Sequence, residues 1–249
     1  MANFKDHFSA QSRDYGRFRP HYPRALFEFL AELPAARSRA WDCGTGNGQA
    51  AGNLAEFFAE VIATDPSVKQ LAQAVPRQGV TYVAASAEQC PLRDRSVDLV
   101  TVAQAVHWFD LPAFYRQVRR VAAPAGAIAV WSYGLANITP EIDTVVGRLY
   151  DTILGAYWPP ERSVVESGYS SIAFDFDEIR APAFAMTAAW TLPEYLGYVS
   201  TWSAVQHYRR QRDRDPLDLV RGELEAAWGS IATPREVKWP FHLRVGRVG

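Results

Sequence analysis

Residues 41–48 read Trp41-Asp42-Cys43-Gly44-Thr45-Gly46-Asn47-Gly48, an acidic residue followed by three glycines on alternate positions. A short apolar run, Ala40-Trp41, precedes them, and a helix-like segment carrying Ala50, Ala51, Leu54 and Ala55 follows. Glycine reaches positive φ without steric cost and lets the backbone approach a ligand closely. Placed between a strand and a helix, such a run forms the floor of a cofactor site. The spacing selects among cofactors. A dinucleotide fingerprint, G-x-G-x-x-G, needs its third glycine at position 49, where Gln49 stands. A phosphate-binding P-loop needs Gly-Lys-Ser/Thr after the turn, and none follows. What remains is an acidic G-x-G-x-G loop with Asp42, Gly44 and Gly46 as candidate cofactor contacts.

A second carboxylate lies at a matching distance. Glu60-Val61-Ile62-Ala63-Thr64-Asp65 reads as an apolar strand ending in an acid about twenty residues past the loop. In a doubly wound sheet the end of the second strand lies beside the first strand–helix turn, where a ribose rests. A carboxylate has two oxygens and no donor, so it accepts from two vicinal hydroxyls. Alone, Asp65 would read as a solvated aspartate or the cap of the next helix. Paired with the glycine loop, it reads as a ribose ligand.

Composition bounds the rest. A chain of 249 residues with 48% hydrophobic content holds one α/β domain with an insertion and a sizeable core. A net charge of −1 gives no footprint for nucleic acid. The basic run His207–Arg212 is followed closely by Asp213 and Asp215 and reads as the solvated end of a helix. Two cysteines, Cys43 and Cys90, make no disulfide framework, and no Cys/His cluster has zinc spacing, so no metal is expected. The N-terminus lacks the apolar core of a signal peptide, and no run approaches a membrane span. A soluble, cytoplasmic protein without a membrane partner is the expectation. Its oligomeric state is not legible.

Strand-like and helix-like segments alternate through the first half, the pattern of a parallel sheet with crossover helices. A helix is expected over Pro23–Leu33. Strands are expected at Ala40–Cys43, Val61–Thr64, Val80–Ala84, Val97–Ala103 and Ala127–Ser132, with helices at Gln49–Phe58, Ser67–Ala74 and Pro112–Val121. Later, Thr139–Tyr157 reads as one amphipathic helix, residues 161–181 as irregular, and Leu192–Gln211 and Asp215–Trp228 as helices. Phe184–Thr191 and Val237–Val245 are the expected sixth and seventh strands. Three regions follow: a lid and first helix over 1–36, a cofactor-binding core over 37–135, and cover helices with the last two strands over 136–249.

The acidic glycine loop resembles motif I of class I S-adenosylmethionine-dependent methyltransferases, and further motifs extend the resemblance. Ala85-Ser86-Ala87-Glu88-Gln89-Cys90-Pro91 is similar to the "A-x-A-E-x-L-P" adenine loop of that superfamily, with cysteine where leucine is usual. Gln104-Ala105-Val106-His107-Trp108-Phe109, after the fourth strand, resembles the trans-aconitate methyltransferase-like small-molecule group. So does the lead-in from Phe8 to Pro23, with Tyr15, Arg19-Pro20 and Tyr22-Pro23 in place. The resemblance implies an α/β, Rossmann-like seven-stranded sheet of order 3-2-1-4-5-7-6 with a helical cover. It implies S-adenosylmethionine as cofactor, S-adenosylhomocysteine as product, and a small-molecule acceptor, with a carboxylate hinted. By the same resemblance, the backbone of Ala87 meets adenine, Glu88 packs beside it, and the carbonyl of Gln104 meets the methionine end.

Two expectations add chemistry to the resemblance. Arg19 can fork onto the cofactor carboxylate, with Tyr15 over the site. His107 is a candidate general base, since imidazole titrates near neutral pH, but it reads equally as a substrate-orienting or structural residue. Tyr15, His107 and Trp108 are the candidate acceptor contacts. Tyr195, Tyr198 and Trp202 share a helical face and read first as packing. The rival reading is a non-catalytic module that binds S-adenosylmethionine or a nucleotide. A cavity beside the sulfonium methyl, lined by residues such as His107, Trp108 and Tyr15, distinguishes an enzyme from it.

Overall fold

The computed structural model describes residues 18–249. Helix α1 (Arg24–Glu32) leads into β1 (Arg39–Cys43), α2 (Gln49–Leu54), β2 (Glu60–Asp65), α3 (Val68–Leu71) and β3 (Val80–Ala84). Then follow β4 (Val97–Ala103), a 3-10 turn at Val106–Trp108, α4 (Leu111–Val121) and β5 (Ala122–Tyr133). The second half holds α5 (Pro140–Gly147), α6 (Arg162–Glu166), β6 (Asp177–Ile179), β7 (Met186–Trp190), α7 (Leu192–Ser200), α8 (Ser203–Arg212), α9 (Arg221–Trp228), β8 (Arg235–Trp239) and β9 (Phe241–Arg247).

Seven strands form one sheet in the order β3-β2-β1-β4-β5-β9-β6. The first five run parallel, and β9 runs antiparallel between β5 and β6. Central strands of a parallel sheet are buried on both faces, so they read as continuous apolar runs rather than alternating ones. Val97 to Val102 are all buried, as are Ala40 to Cys43. One face packs Leu26, Phe27 and Leu30 of α1 and Leu54 of α2 against Trp131. The other packs Phe114, Val118 and Val121 of α4 against Trp41, Val100 and Ile128. Each such side chain stabilises the fold by about 1.5–3 kcal/mol on burial. Trp41 is fully buried, and its indole N–H donates to Thr64 Oγ1 at 2.9 Å, which ties β1 to β2.

The expected fold class and sheet order hold, with the last strand in sequence standing next to last in space. The residues assigned to its final two strands do not. Phe184–Thr191 was expected to be the sixth strand, but that place belongs to the three-residue β6, inside the stretch read as irregular. Strand β7 instead pairs antiparallel with β8 in a separate two-stranded sheet. Alternation in Met186–Trp190 specifies a half-buried strand but not its partner. Trp190 settles that by packing edge-on to Trp239, with centroids 4.9 Å apart. The expected seventh strand, Val237–Val245, breaks at Pro240, which has no N–H for a ladder. Chain on either side of that proline serves two different sheets.

Helical boundaries moved for local reasons. The expected Thr139–Tyr157 helix widens into a π segment at Arg148–Ile153 and ends in a 3-10 turn at Gly155–Tyr157. The Leu192–Gln211 helix divides into α7 and α8, where Thr201 Oγ1 donates back to Tyr198 O at 2.6 Å and Trp202 turns extended. Among the described residues no helix is long and apolar enough to cross a membrane.

At the amino ends of the strands, Asp98 of β4 accepts from Ser38 N at 2.8 Å and Arg39 N at 2.9 Å. It anchors the start of β1 to its neighbour while nearly buried. Asp98→Ala leaves two backbone donors without a charged acceptor. Urea unfolding is expected to show a loss of about 1.5–3 kcal/mol, with Asp98→Asn losing less. An unchanged midpoint would show that water replaces the carboxylate.

Candidate active site at the carboxyl ends of the strands

All five parallel strands end at one edge, so the loops that follow β1 to β5 converge there. The glycine loop takes the backbone its sequence requires, with Gly44 at φ +70° and Gly46 at φ +57°. A Cβ on Gly44 would lie 2.6 Å from Ala105 Cβ, which seats the loop directly against the end of β4. Among the described residues a Cβ on Gly46 would meet nothing within 4 Å, so this face of the loop is open to them. The amides of Gly44 and Thr45 both donate to Thr64 O, at 2.8 and 3.0 Å. Asp65 Oδ2 accepts from Gly46 N at 2.9 Å and Oδ1 from Ser67 N at 2.8 Å. Asp65 thus ties the end of β2 both to the glycine loop and to the start of α3.

Asp42 is turned inward rather than toward a ligand. It is fully buried, and its oxygens accept from Thr45 Oγ1 at 2.5 Å and Thr101 Oγ1 at 2.8 Å. Burial pushes its carboxyl up to about 6, against the lowering effect of those hydroxyls. It braces the loop from beneath. Ala87 is buried, and Glu88 Oε1 accepts from Asp110 N at 3.1 Å, joining the loop after β3 to the start of α4.

A cavity of about 80 Å³ lies beyond the ends of β4 and β5. It brings together Arg19, Gln104, His107 and Trp108, residues that the sequence had scattered over 90 positions. Gln104 adopts φ +55°, its N–H donates to Trp131 O at 2.9 Å, and its Nε2 donates to Tyr133 O at 3.1 Å. Arg19 Nη1 donates to Tyr133 Oη at 2.8 Å, and its guanidinium lies 5.8 Å from the Tyr198 ring centroid. Tyr15 lies outside the described residues, as does the lead-in before Phe18.

His107 sits in the 3-10 turn after β4, its ring 4.7 Å from that of Trp108. Nδ1 is 3.0 Å from Tyr169 Oη. Burial, reinforced by the charge of Arg162, lowers the imidazole to about 3, so it is neutral at physiological pH. The sequence offered no second residue to orient this histidine, and the fold supplies one from 62 positions away. Sequence reasoning also missed Tyr133, Trp158 and Arg162 as cavity residues. Trp158 and Arg162 flank Pro159-Pro160 in an aromatic stretch without periodicity, so only tertiary placement identifies them. Tyr198 and Trp202, read first as packing, are buried and also line the cavity. No group of His, Cys, Asp and Glu able to hold a metal occurs among the described residues.

Known proteins match this architecture. A methyltransferase domain is recognised over residues 41–130. A provisionally named methyltransferase of Dictyostelium discoideum is 34% identical over 229 residues, spanning 90% of this chain and 87% of that protein. The malonyl-[acyl-carrier protein] O-methyltransferase of a Marinomonas species is 30% identical over 198 residues, 72% of this chain and 73% of its own. A solved structure from Anaeromyxobacter dehalogenans, provisionally named a type II methyltransferase, is 48% identical. It superposes with a TM-score of 0.87 over 93% of this chain and 98% of that one.

The buried Asp42 gives a pH signature. Its carboxyl is raised above the unfolded value near 3.8, so the native state holds the proton more tightly. That contribution is present at low pH and is lost as pH rises through about 6. Between pH 4 and 7, unfolding experiments are therefore expected to shift in favour of Asp42→Asn over wild type, by up to about 3 kcal/mol. A difference independent of pH would mean that Asp42 is ionised throughout.

Proposed function

Because the chain belongs to the class I S-adenosylmethionine-dependent methyltransferases, we propose that its acceptor is a small carboxylate bound in the cavity beyond β4 and β5. The observation that carries this reading is the lining of that cavity. It contains two guanidiniums, Arg19 and Arg162, a histidine held neutral, and no carboxylate among the described residues. The Marinomonas relative, whose name gives a malonyl group on an acyl-carrier protein as its acceptor, also supports a carboxylate. The string Gln104–Phe109 at this cavity supports placement in the small-molecule group similar to trans-aconitate methyltransferases.

The division of labour follows the three regions proposed from sequence. Residues 37–135 hold the cofactor, residues 136–249 cover the acceptor, and residues 1–36 comprise a lid and the first helix, of which the helix packs on the sheet. The residues fit S-adenosylmethionine: a glycine face at Gly46 that is open among the described residues, Asp65 holding that face at the end of β2, and Gly44 seating the loop against Ala105. We assign Asp65 to the ribose, Gly44 and Gly46 to the floor, and Asp42 to bracing that floor. Ala87 and Glu88 border the adenine, and Gln104, Arg19 and Tyr15 the methionine end. His107, Trp108 and Tyr15 meet the acceptor. The two buried free cysteines suit a reducing cytoplasm.

S-adenosylmethionine supplies a methyl group made electrophilic by its sulfonium, so the protein's task is positioning. A carboxylate oxygen accepts a methyl without losing a proton, and no general base is needed. His107 is suited to this, because a neutral imidazole of such low basicity donates or orients rather than abstracts.

Calorimetry is expected to show binding of S-adenosylhomocysteine in preference to NAD, with Asp65→Ala weakening it by about 1.5–3 kcal/mol. Equal or tighter NAD binding would contradict the cofactor assignment. Unchanged affinity in folded Asp65→Ala would remove Asp65 from the ribose.

The role of His107 is tested by rate against pH. With its imidazole lowered to about 3, it is already unprotonated through the neutral range. Turnover of a carboxylate should therefore gain nothing from about pH 5 to 9, and His107→Asn should raise KM more than it lowers kcat. A fall in kcat of about 10²–10⁴ with a basic limb near neutrality would instead make His107 a general base.

A further inference from the structure

The chain from Trp158 to Tyr169 forms one wall of the cavity and brings polar groups that the cofactor does not need. Arg162 is held along one edge and against two neighbouring rings, Tyr150 and Trp158, whose centroids are 4.6 Å apart. Its Nε donates to Tyr150 Oη at 2.5 Å, and Tyr150 in turn donates to Glu166. Glu166 lies on this same edge, 3.6 Å from Nε. The guanidinium carbon stands 4.8 Å from the Trp158 ring centroid and 5.3 Å from that of Tyr150. Among the described residues neither Nη group has a hydrogen-bond partner. The edge that remains is the one whose parallel N–H bonds match the two oxygens of a carboxylate.

His107 lines the same cavity, and its proton can be placed by elimination. Tyr169 is fully buried, and its hydroxyl meets His107 Nδ1 and no other group among the described residues. Were the imidazole proton on Nδ1, the Tyr169 proton would be buried without an acceptor, which folded proteins avoid. Tyr169 therefore donates, Nδ1 accepts, and the imidazole N–H is on Nε2. The backbone shows how firmly this hydroxyl is placed. Tyr169 holds φ +63° directly after Gly168 at φ +60°, a left-handed conformation that a tyrosine adopts only where its surroundings over-determine it.

Other acceptor charges fit the cavity poorly. An ammonium would face Arg19 and Arg162 with no acid in the cavity lining among the described residues, since Glu166, beside Arg162, lies on its Nε edge and is engaged by Tyr150. A neutral hydroxyl would leave the Nη pair of Arg162 desolvated and unmatched. We propose that Arg162 and the Nε2–H of His107 form a two-donor clamp for the acceptor's carboxylate. In this clamp Tyr169 is the positioning residue that fixes the imidazole tautomer. The inference rests on reading the cavity as the acceptor site of a methyltransferase.

The test uses the full chain loaded with S-adenosylhomocysteine and titrated with benzoate, cinnamate and fumarate, each beside its carboxamide. At least one carboxylate should bind about 10- to 100-fold tighter than its amide, as charge-assisted hydrogen bonds imply. Arg162→Gln should erase that preference, and Arg162→Lys, which keeps the charge without the fork, should retain part of it. Tyr169→Phe should weaken the carboxylate several-fold, about 3- to 10-fold, with the circular dichroism and cofactor affinity unchanged. Nitrogen-15 NMR of His107 should show a neutral Nε2–H imidazole from about pH 5 to 8 in wild type. This last readout stands even where a variant does not fold. A proton on Nδ1, absence of any carboxylate preference, or its survival in folded Arg162→Gln would each overturn the clamp. Failure of S-adenosylhomocysteine to bind would instead strike the cofactor assignment beneath it, and the clamp would fall with it.

Discussion

The close approach of Gly44 to Ala105 governs the geometry of this molecule. No side chain fits at position 44, so the turn after β1 packs flush against the residue that follows Gln104 at the end of β4. Cofactor loop and acceptor wall are thereby joined across adjacent strands. The parallel pairing of β1 with β4, in the register Trp41↔Val100, sets this distance, because parallel strands deliver their following loops to the same edge. The left-handed φ at Gly44 and Gly46 then exposes the loop's open face. Two aspartates hold it there, Asp65 through the Gly46 amide and Asp42 through the hydroxyls of Thr45 and Thr101.

These aspartates divide a task that the motif alone makes look single. Asp65 stands at the carboxyl end of β2 and holds the face of the loop at Gly46, the place we assign to the ribose. Asp42 is sealed, and its raised carboxyl is the cost of placing an ionisable group under the sheet. An apolar residue would avoid that cost but could not accept from both threonines. The loop's shape outweighs the local penalty.

On the acceptor side the electrostatics favour anions without providing a base. Guanidiniums at Arg19 and Arg162 are held against aromatic faces, which keeps them charged, oriented and partly shielded from water. Burial, reinforced by the charge of Arg162, keeps His107 neutral. Lowering a histidine so far removes its usefulness for proton abstraction and leaves it a fixed hydrogen-bonding group. Such an environment suits a methyl transfer in which no proton has to leave.

The sequence by itself determined what depends on neighbours along the chain. Glycines 44 and 46 admit left-handed backbone at no steric cost, so a tight loop was legible, and its spacing excluded the dinucleotide and P-loop patterns. The apolar runs at Val97–Val102 and Val61–Thr64 announce strands buried on both faces, and their alternation with helices announces a parallel sheet, whose strand order came from the family resemblance. Only the tertiary structure decided matters of partner choice. Met186–Trp190 looks like any half-buried strand, and it pairs with β8 in a separate two-stranded sheet rather than taking the outer place of the main one. Pro240 divides what reads as one strand between two sheets. The anion-facing wall was the least legible part, because Trp158, Arg162 and Tyr169 lie in a stretch without periodicity. Their roles come from contacts with Tyr150 and His107, and a side chain's hydrogen-bond partner across 62 positions has no imprint on local sequence.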